Sequence, residues 1–177
     1  IFRIPRFPPN SSDPGIAEAG AGDNRIDGGN GNNTVTTLGG NDSIATGTGN
    51  DTINAGDGVN RVISSGGTNV IDTGDGIDMI NTGSGDDTIR AGAGDNNVTA
   101  GDGNNNITTG DGNDRIRTGT GNDTIVAGAG FNRIVSGGGN NTITTLGGRD
   151  LIQTGIGNDT IRRRSELPYP LRLFLCG

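Results

Sequence analysis

The side chains able to do chemistry are few in kind. The 177 residues hold no His, no Trp and no Lys, so all 13 basic residues are Arg, and Cys176 is the single cysteine. Without His there is no Ser-His-Asp triad, no Cys-His pair and no His-ligated zinc. Without Lys there is no P-loop lysine and no Schiff base, and one cysteine makes neither an internal disulfide nor a Cys₄ site. These gaps argue against a conventional enzyme. What remains is a regular series of Asn and Asp at nine-residue spacing: Asn24, Asn33, Asp42, Asp51, Asn60, Asn69, Asp78, Asp87, Asn96, Asn105, Asp114, Asp123, Asn132, Asn141, Asp150 and Asp159. The order Asn, Asn, Asp, Asp recurs four times, a unit of 36 residues. Stacked amides and carboxylates suit a hydrogen-bonded ladder in which each Asn donates to the Asp above and below.

The elements that must hold this series follow from the same register. With 36 glycines, 28% hydrophobic and 3% aromatic residues, the composition alone resembles a disordered chain, but glycine lacks the every-third spacing of collagen. From Gly20 to Arg163 the chain divides into 16 nonads without insertion or deletion, such as GTGNDTINA from Gly47 to Ala55. Position seven is Ile or Val in all 16, position five is always Asn or Asp, and position nine is small or Thr everywhere except Arg163. Disorder does not keep such a register. Glycines at positions one and three permit a tight turn, and the next residues, such as Thr52-Ile53-Asn54, read as a short strand with Ile inward. Two nonads make one 18-residue coil, and eight coils stack into a rod roughly 40 Å long. The expected core is two facing ladders of Ile and Val with little else inside. Asn and Asp then alternate up each edge, one column running 24-42-60-78-96-114-132-150 and the other 33-51-69-87-105-123-141-159.

Segments such as TGTGNDTIN (Thr46 to Asn54) and TGTGNDTIV (Thr118 to Val126) resemble the repeats-in-toxin nonapeptide G-G-x-G-x-D-x-U-x. The resemblance implies an all-β, right-handed parallel β-roll with calcium between successive turns, held by motif aspartates and turn carbonyls. Carried over by position, the metal carboxylates are Asp42, Asp51, Asp78, Asp87, Asp114, Asp123, Asp150 and Asp159, with the eight Asn of the same columns as further metal positions. Calcium takes six to eight hard oxygen ligands. Between Gly20 and Ile161 there are 17 acidic residues and 7 Arg, a balance of −10, which a bound cation would relieve while linking folding to metal. The chain departs from the motif in three ways. The first motif glycine is usually Thr, Ala or Ser, as at Thr46, Thr73 and Ala91; the glycines shift by one in the nonads starting at Leu38, Ser65 and Leu146; and half the motif aspartates are Asn. A site pairing one Asp with one Asn keeps its oxygens but loses charge, so affinity falls.

Outward positions distinguish two faces. One carries Thr34, Thr52, Val70, Thr88, Asn106, Thr124, Thr142 and Thr160, which resembles the ice-binding face of β-solenoid antifreeze proteins, and the other carries Arg25, Arg61, Arg115 and Arg133 among other residues. Residues 1–19 and 164–177 form apolar tails holding Phe2, Phe7, Tyr169 and Phe174. They read as caps over the open end coils or as joints that assemble copies into a filament. The repeats-in-toxin resemblance also implies a third option for the C-terminal tail, an uncleaved export signal. The chain opens at Ile1, as a trimmed chain or a fragment would, with no secretion signal. A net charge of −7 argues against nucleic acid, and no apolar run reaches membrane-spanning length. These features together predict an extracellular, non-enzymatic, calcium-stabilised structural, surface or filament protein. The alternatives are an ice-binding protein and a secretion-assisting module of a larger exported protein.

Overall fold

The computed structural model describes residues 15–164 and 172–174. Among them are eighteen short strands, from β1 (Ile16–Glu18) and β2 (Arg25–Gly29) to β17 (Thr160–Arg163) and β18 (Arg172–Phe174), and no helix. Odd-numbered strands form one nine-stranded parallel sheet and even-numbered strands the other. From β1 to β17 each strand pairs with the one 18 residues further on, so that Ile53 stands opposite Ile71 and Ile71 opposite Ile89, while β18 pairs with Leu151–Gln153 at an offset of 21 residues. This is the β-solenoid of about eight turns that the nonad register predicts.

Period-two alternation fixes which side chains enter the core. Strand Thr52–Asn54 shows the pattern, with Ile53 buried between exposed Thr52 and Asn54. Position seven supplies twelve fully buried isoleucines, and burying each stabilises the fold by about 1.5–3 kcal/mol. The interior is not limited to these ladders, however. The Asn and Asp of position five are buried almost throughout, and so is position nine, as Thr73, Ala91, Ala100 and Thr145 show at 0% exposure. A nonad has an odd number of residues, but positions five, seven and nine fall on one parity, so all three point inward within the nonad. The core is therefore a sandwich of a polar, an aliphatic and a small-residue ladder on each side.

The stack also begins before Gly20. Ala17 is buried opposite Val35 in β1, inside the segment that composition assigns to the N-terminal tail. Ala lacks the β-branched signature that marks the other rungs. At the far end, β18 adds a strand parallel to Leu151–Gln153. The remaining tail residues, including Phe2, Phe7, Tyr169 and Cys176, lie outside the described residues, and with them the capping, filament-joint and export-signal expectations.

Candidate metal centre in the turns

Every nonad enters its turn through a glycine at position three with positive φ, from Gly22 to Gly157. At Gly76, φ is 151° and an added Cβ would overlap the carbonyl oxygen of Gly58 one coil away, so both conformation and stacking require glycine. The nonads starting at Leu38, Ser65 and Leu146 keep this residue as Gly40, Gly67 and Gly148. The shift noted in their sequences touches the first glycine alone.

The tight turn aims position five into the stack. Its backbone N–H donates to Oδ1 of the residue 18 further on, as from Asn24 to Asp42 at 2.7 Å, Asp42 to Asn60 at 3.0 Å and Asn60 to Asp78 at 2.8 Å. Asn and Asp thus use Oδ1 identically, and they differ only in the second side-chain atom. In the Asn turns that atom is a donor. Asn33 Nδ2 reaches the carbonyl oxygens of Gly29 at 3.2 Å and Gly31 at 2.9 Å, and Oδ1 of Asp51 at 3.0 Å. Asn105 repeats this with Gly101, Gly103 and Asp123. In the other column Asn24 and Asn96 donate to their own turn carbonyls. The amides therefore mainly close their own turns. Direct donation to an Asp occurs in the column of Asn33, Asn69, Asn105 and Asn141, toward the next coil.

In the Asp turns the second atom is an oxygen, which cannot donate to the turn carbonyls as the Asn amide does. Oδ2 of Asp42, Asp78, Asp87, Asp114, Asp123 and Asp150 is buried without a hydrogen-bond partner. Asp51 Oδ2 accepts from the Ser64 hydroxyl at 3.3 Å. Burial pushes the carboxyls of Asp78, Asp87 and Asp114 above the ordinary range, opposed by the neighbouring hydroxyls of Thr73, Thr82 and Thr109. A carboxylate oxygen buried without a well-placed partner costs free energy until a donor or cation meets it.

Sequence reading missed two outer ladders. At position four, the Asn50 N–H donates to Asn32 Oδ1 at 2.8 Å and the Asn122 N–H to Asn104 Oδ1 at 2.8 Å. At position two, the Asp75 N–H donates to Asp57 Oδ1 at 2.9 Å. Asp102 accepts from the Thr120 backbone N–H and hydroxyl, which hold its carboxyl below the ordinary range. The signal was available as further Asn and Asp at nine-residue spacing. Among the described residues no three carboxylates converge, so each Asp turn contributes one carboxylate, buried at every position but the half-buried Asp159.

Residues 16–161 match the model of the RTX calcium-binding nonapeptide repeat, in the segments 16–44, 36–71, 72–107, 99–134 and 126–161. The chain belongs to this RTX repeat family. No curated protein and no solved structure matches it. Calcium is the ligand of RTX repeats, and the chain is a calcium-binding β-roll module. The residues fit the ion: the buried, unpartnered Oδ2 atoms are hard carboxylate oxygens of the kind calcium takes. Bound calcium would supply the positive charge that the turn lacks. RTX repeats occur in exported proteins and typically build a non-catalytic structural domain. Among the described residues no helix is long and apolar enough to cross a membrane.

Proposed function

We propose that this RTX β-roll is an extracellular, non-enzymatic structural module, stabilised by calcium at its Asp turns and serving as a surface, matrix, stalk or filament component. The observation that carries the reading is the set of buried, unpartnered carboxylate oxygens running along both edges of a continuous stack. Asp42, Asp51, Asp78, Asp87, Asp114, Asp123, Asp150 and Asp159 hold the ions, and the Asn of each column brace the turns between them. Such a rod is rigid only where calcium is plentiful, which suits an exported protein. Sedimentation and circular dichroism on one sample, in calcium and then in chelator, test this. Loss of strand signal on chelation is the expected result. Dispersal of large assemblies at the same step would identify a filament. Strands and sedimentation indifferent to calcium would overturn the reading.

A second reading has one specific observation in its favour. The strand register sets Thr124, Thr142 and Thr160 in line on the odd-numbered sheet, with Thr34 beside Thr52 further along. Val70 and Asn106 interrupt the column. Ice binding through this face predicts thermal hysteresis, abolished by Thr142→Lys with the fold intact, and absence of ice shaping at millimolar protein would end it. The third role, assistance to secretion of a larger protein, rests on the family's occurrence in exported proteins.

A further inference from the structure

Position nine of one nonad is coupled to position five of the next. Thr stands five residues before every one of the eight Asp, as Thr73 before Asp78 and Thr109 before Asp114, whereas Ala, Ser or Gly precedes every one of the eight Asn, as Ala91 precedes Asn96. Packing does not require this, since Thr73 and Ala91 occupy equivalent interior slots, both at 0% exposure. Nor does a hydrogen bond of ordinary geometry explain it. Thr73 Oγ1 and Thr109 Oγ1 are buried without partners, and so is Oδ2 of each Asp that follows them. A buried hydroxyl left unpaired is a cost; among the described residues the Asp turns carry it at Thr46, Thr73, Thr82, Thr109, Thr118 and Thr145, whereas of the Asn turns Ser136 alone does.

The Asn turns show what those oxygens lack. Asn96 Nδ2 spans Gly92 O at 3.2 Å and Gly94 O at 3.0 Å, closing its turn with the protein's own donor. The Asp turns have no such donor; beside the carboxylates of Asp78, Asp87 and Asp114 stand the hydroxyls of Thr73, Thr82 and Thr109 instead. We propose that the threonine hydroxyl belongs to the cation's ligand shell, so that calcium binds at Thr–Asp turns alone and the self-closed Asn turns stand between them as metal-free spacers. The inference deepens the calcium reading above and rests on it. It sets the capacity at eight positions, one per Asp, in place of sixteen. Along either edge the ions then lie two coils apart, roughly 9.6 Å, where repulsion between them is weaker than between adjacent coils.

Calcium titration of the full chain by calorimetry, with thermal melts in calcium and in chelator, separates the outcomes. In Thr73→Val combined with Thr109→Val, shape is kept and two hydroxyls are lost. The expected result is two of eight calcium equivalents lost or weakened at least tenfold, restored by the corresponding serines. A gain-of-site cycle guards against loss of folding in that variant. Asn96→Asp alone should add no equivalent, Ala91→Thr alone should add none, and both together should add one. Valine variants that bind like the wild type, or a wild-type stoichiometry near sixteen, would overturn this inference and leave the calcium reading standing. A wild type that takes up no calcium would overturn both.

Discussion

Replacing Asp114 by Asn should raise stability in chelator, and calcium should cancel or reverse that gain. Asp114 Oδ2 is buried and unpartnered, and its carboxyl is pushed up by burial. Its neighbour one coil earlier, Asn96, makes two amide bonds to the carbonyls of Gly92 and Gly94, at 3.2 and 3.0 Å. Gly110 and Gly112 hold the equivalent positions in the Asp114 turn. In Asp114→Asn the new amide would gain that pair of bonds, at about 0.5–1.5 kcal/mol each, for a total of about 1–3 kcal/mol. For a chain of this length each kcal/mol moves Tm by about 2–4 °C, so the chelated melt should rise by roughly 2–12 °C. In calcium at about a hundred times Kd the wild-type site contributes about 2.7 kcal/mol that the variant forfeits. The variant's lead in chelator should therefore vanish or reverse in calcium, to a difference of about −1.7 to +0.3 kcal/mol. Circular dichroism melts of both chains in each buffer measure this. A lower Tm for the variant in chelator, or the same difference in both buffers, would refute the argument that Oδ2 awaits a cation.

Three further outcomes follow from the same geometry. Ile107→Ala empties a fully buried rung between Ile89 and Ile125 and should cost about 2–5 kcal/mol by denaturant unfolding. Gly76→Ala sets a Cβ against the Gly58 carbonyl at φ 151°; it should lower Tm, with hydrogen exchange accelerated locally in the third and fourth coils. The third outcome concerns pH. Asp78, Asp87 and Asp114 have folded pKa values above their ordinary 3.8, so their contribution to stability is fully present below 3.8 and is lost as pH rises through the folded values. In chelator, the advantage of the combined Asp78→Asn, Asp87→Asn and Asp114→Asn variant over wild type should accordingly grow with pH across that window and then level off.

The fold was legible because one rung type is nearly uniform. Ile or Val at position seven from Ile26 to Ile161 sets the coil length, and β-branched residues between glycine turns leave little alternative to parallel stacking. Ala17 escaped because a small side chain carries no such signal, although the backbone around it pairs like any other rung. The metal positions were visible as a column of residue types, but their orientation was not. Only the three-dimensional turn shows that Asn33 Nδ2 meets Gly29, Gly31 and Asp51 while Asp78 Oδ2 is buried without a partner at hydrogen-bond geometry, beside the Thr73 hydroxyl. The difference lies in one atom whose role depends on what the turn carbonyls face. The pairing of Thr73 with Asp78 was present in the sequence throughout, yet it acquires meaning only once both side chains are seen to be buried together.

The account turns on whether Asp and Asn columns differ in function, and calcium titration of the wild type against a chain with all eight position-five Asp replaced by Asn tests it most directly. The wild type should bind calcium and gain stability from it, while the all-Asn chain should fold in chelator and give no binding heat. Equal calcium binding by the two chains, or an all-Asn chain that still needs calcium to fold, would contradict it.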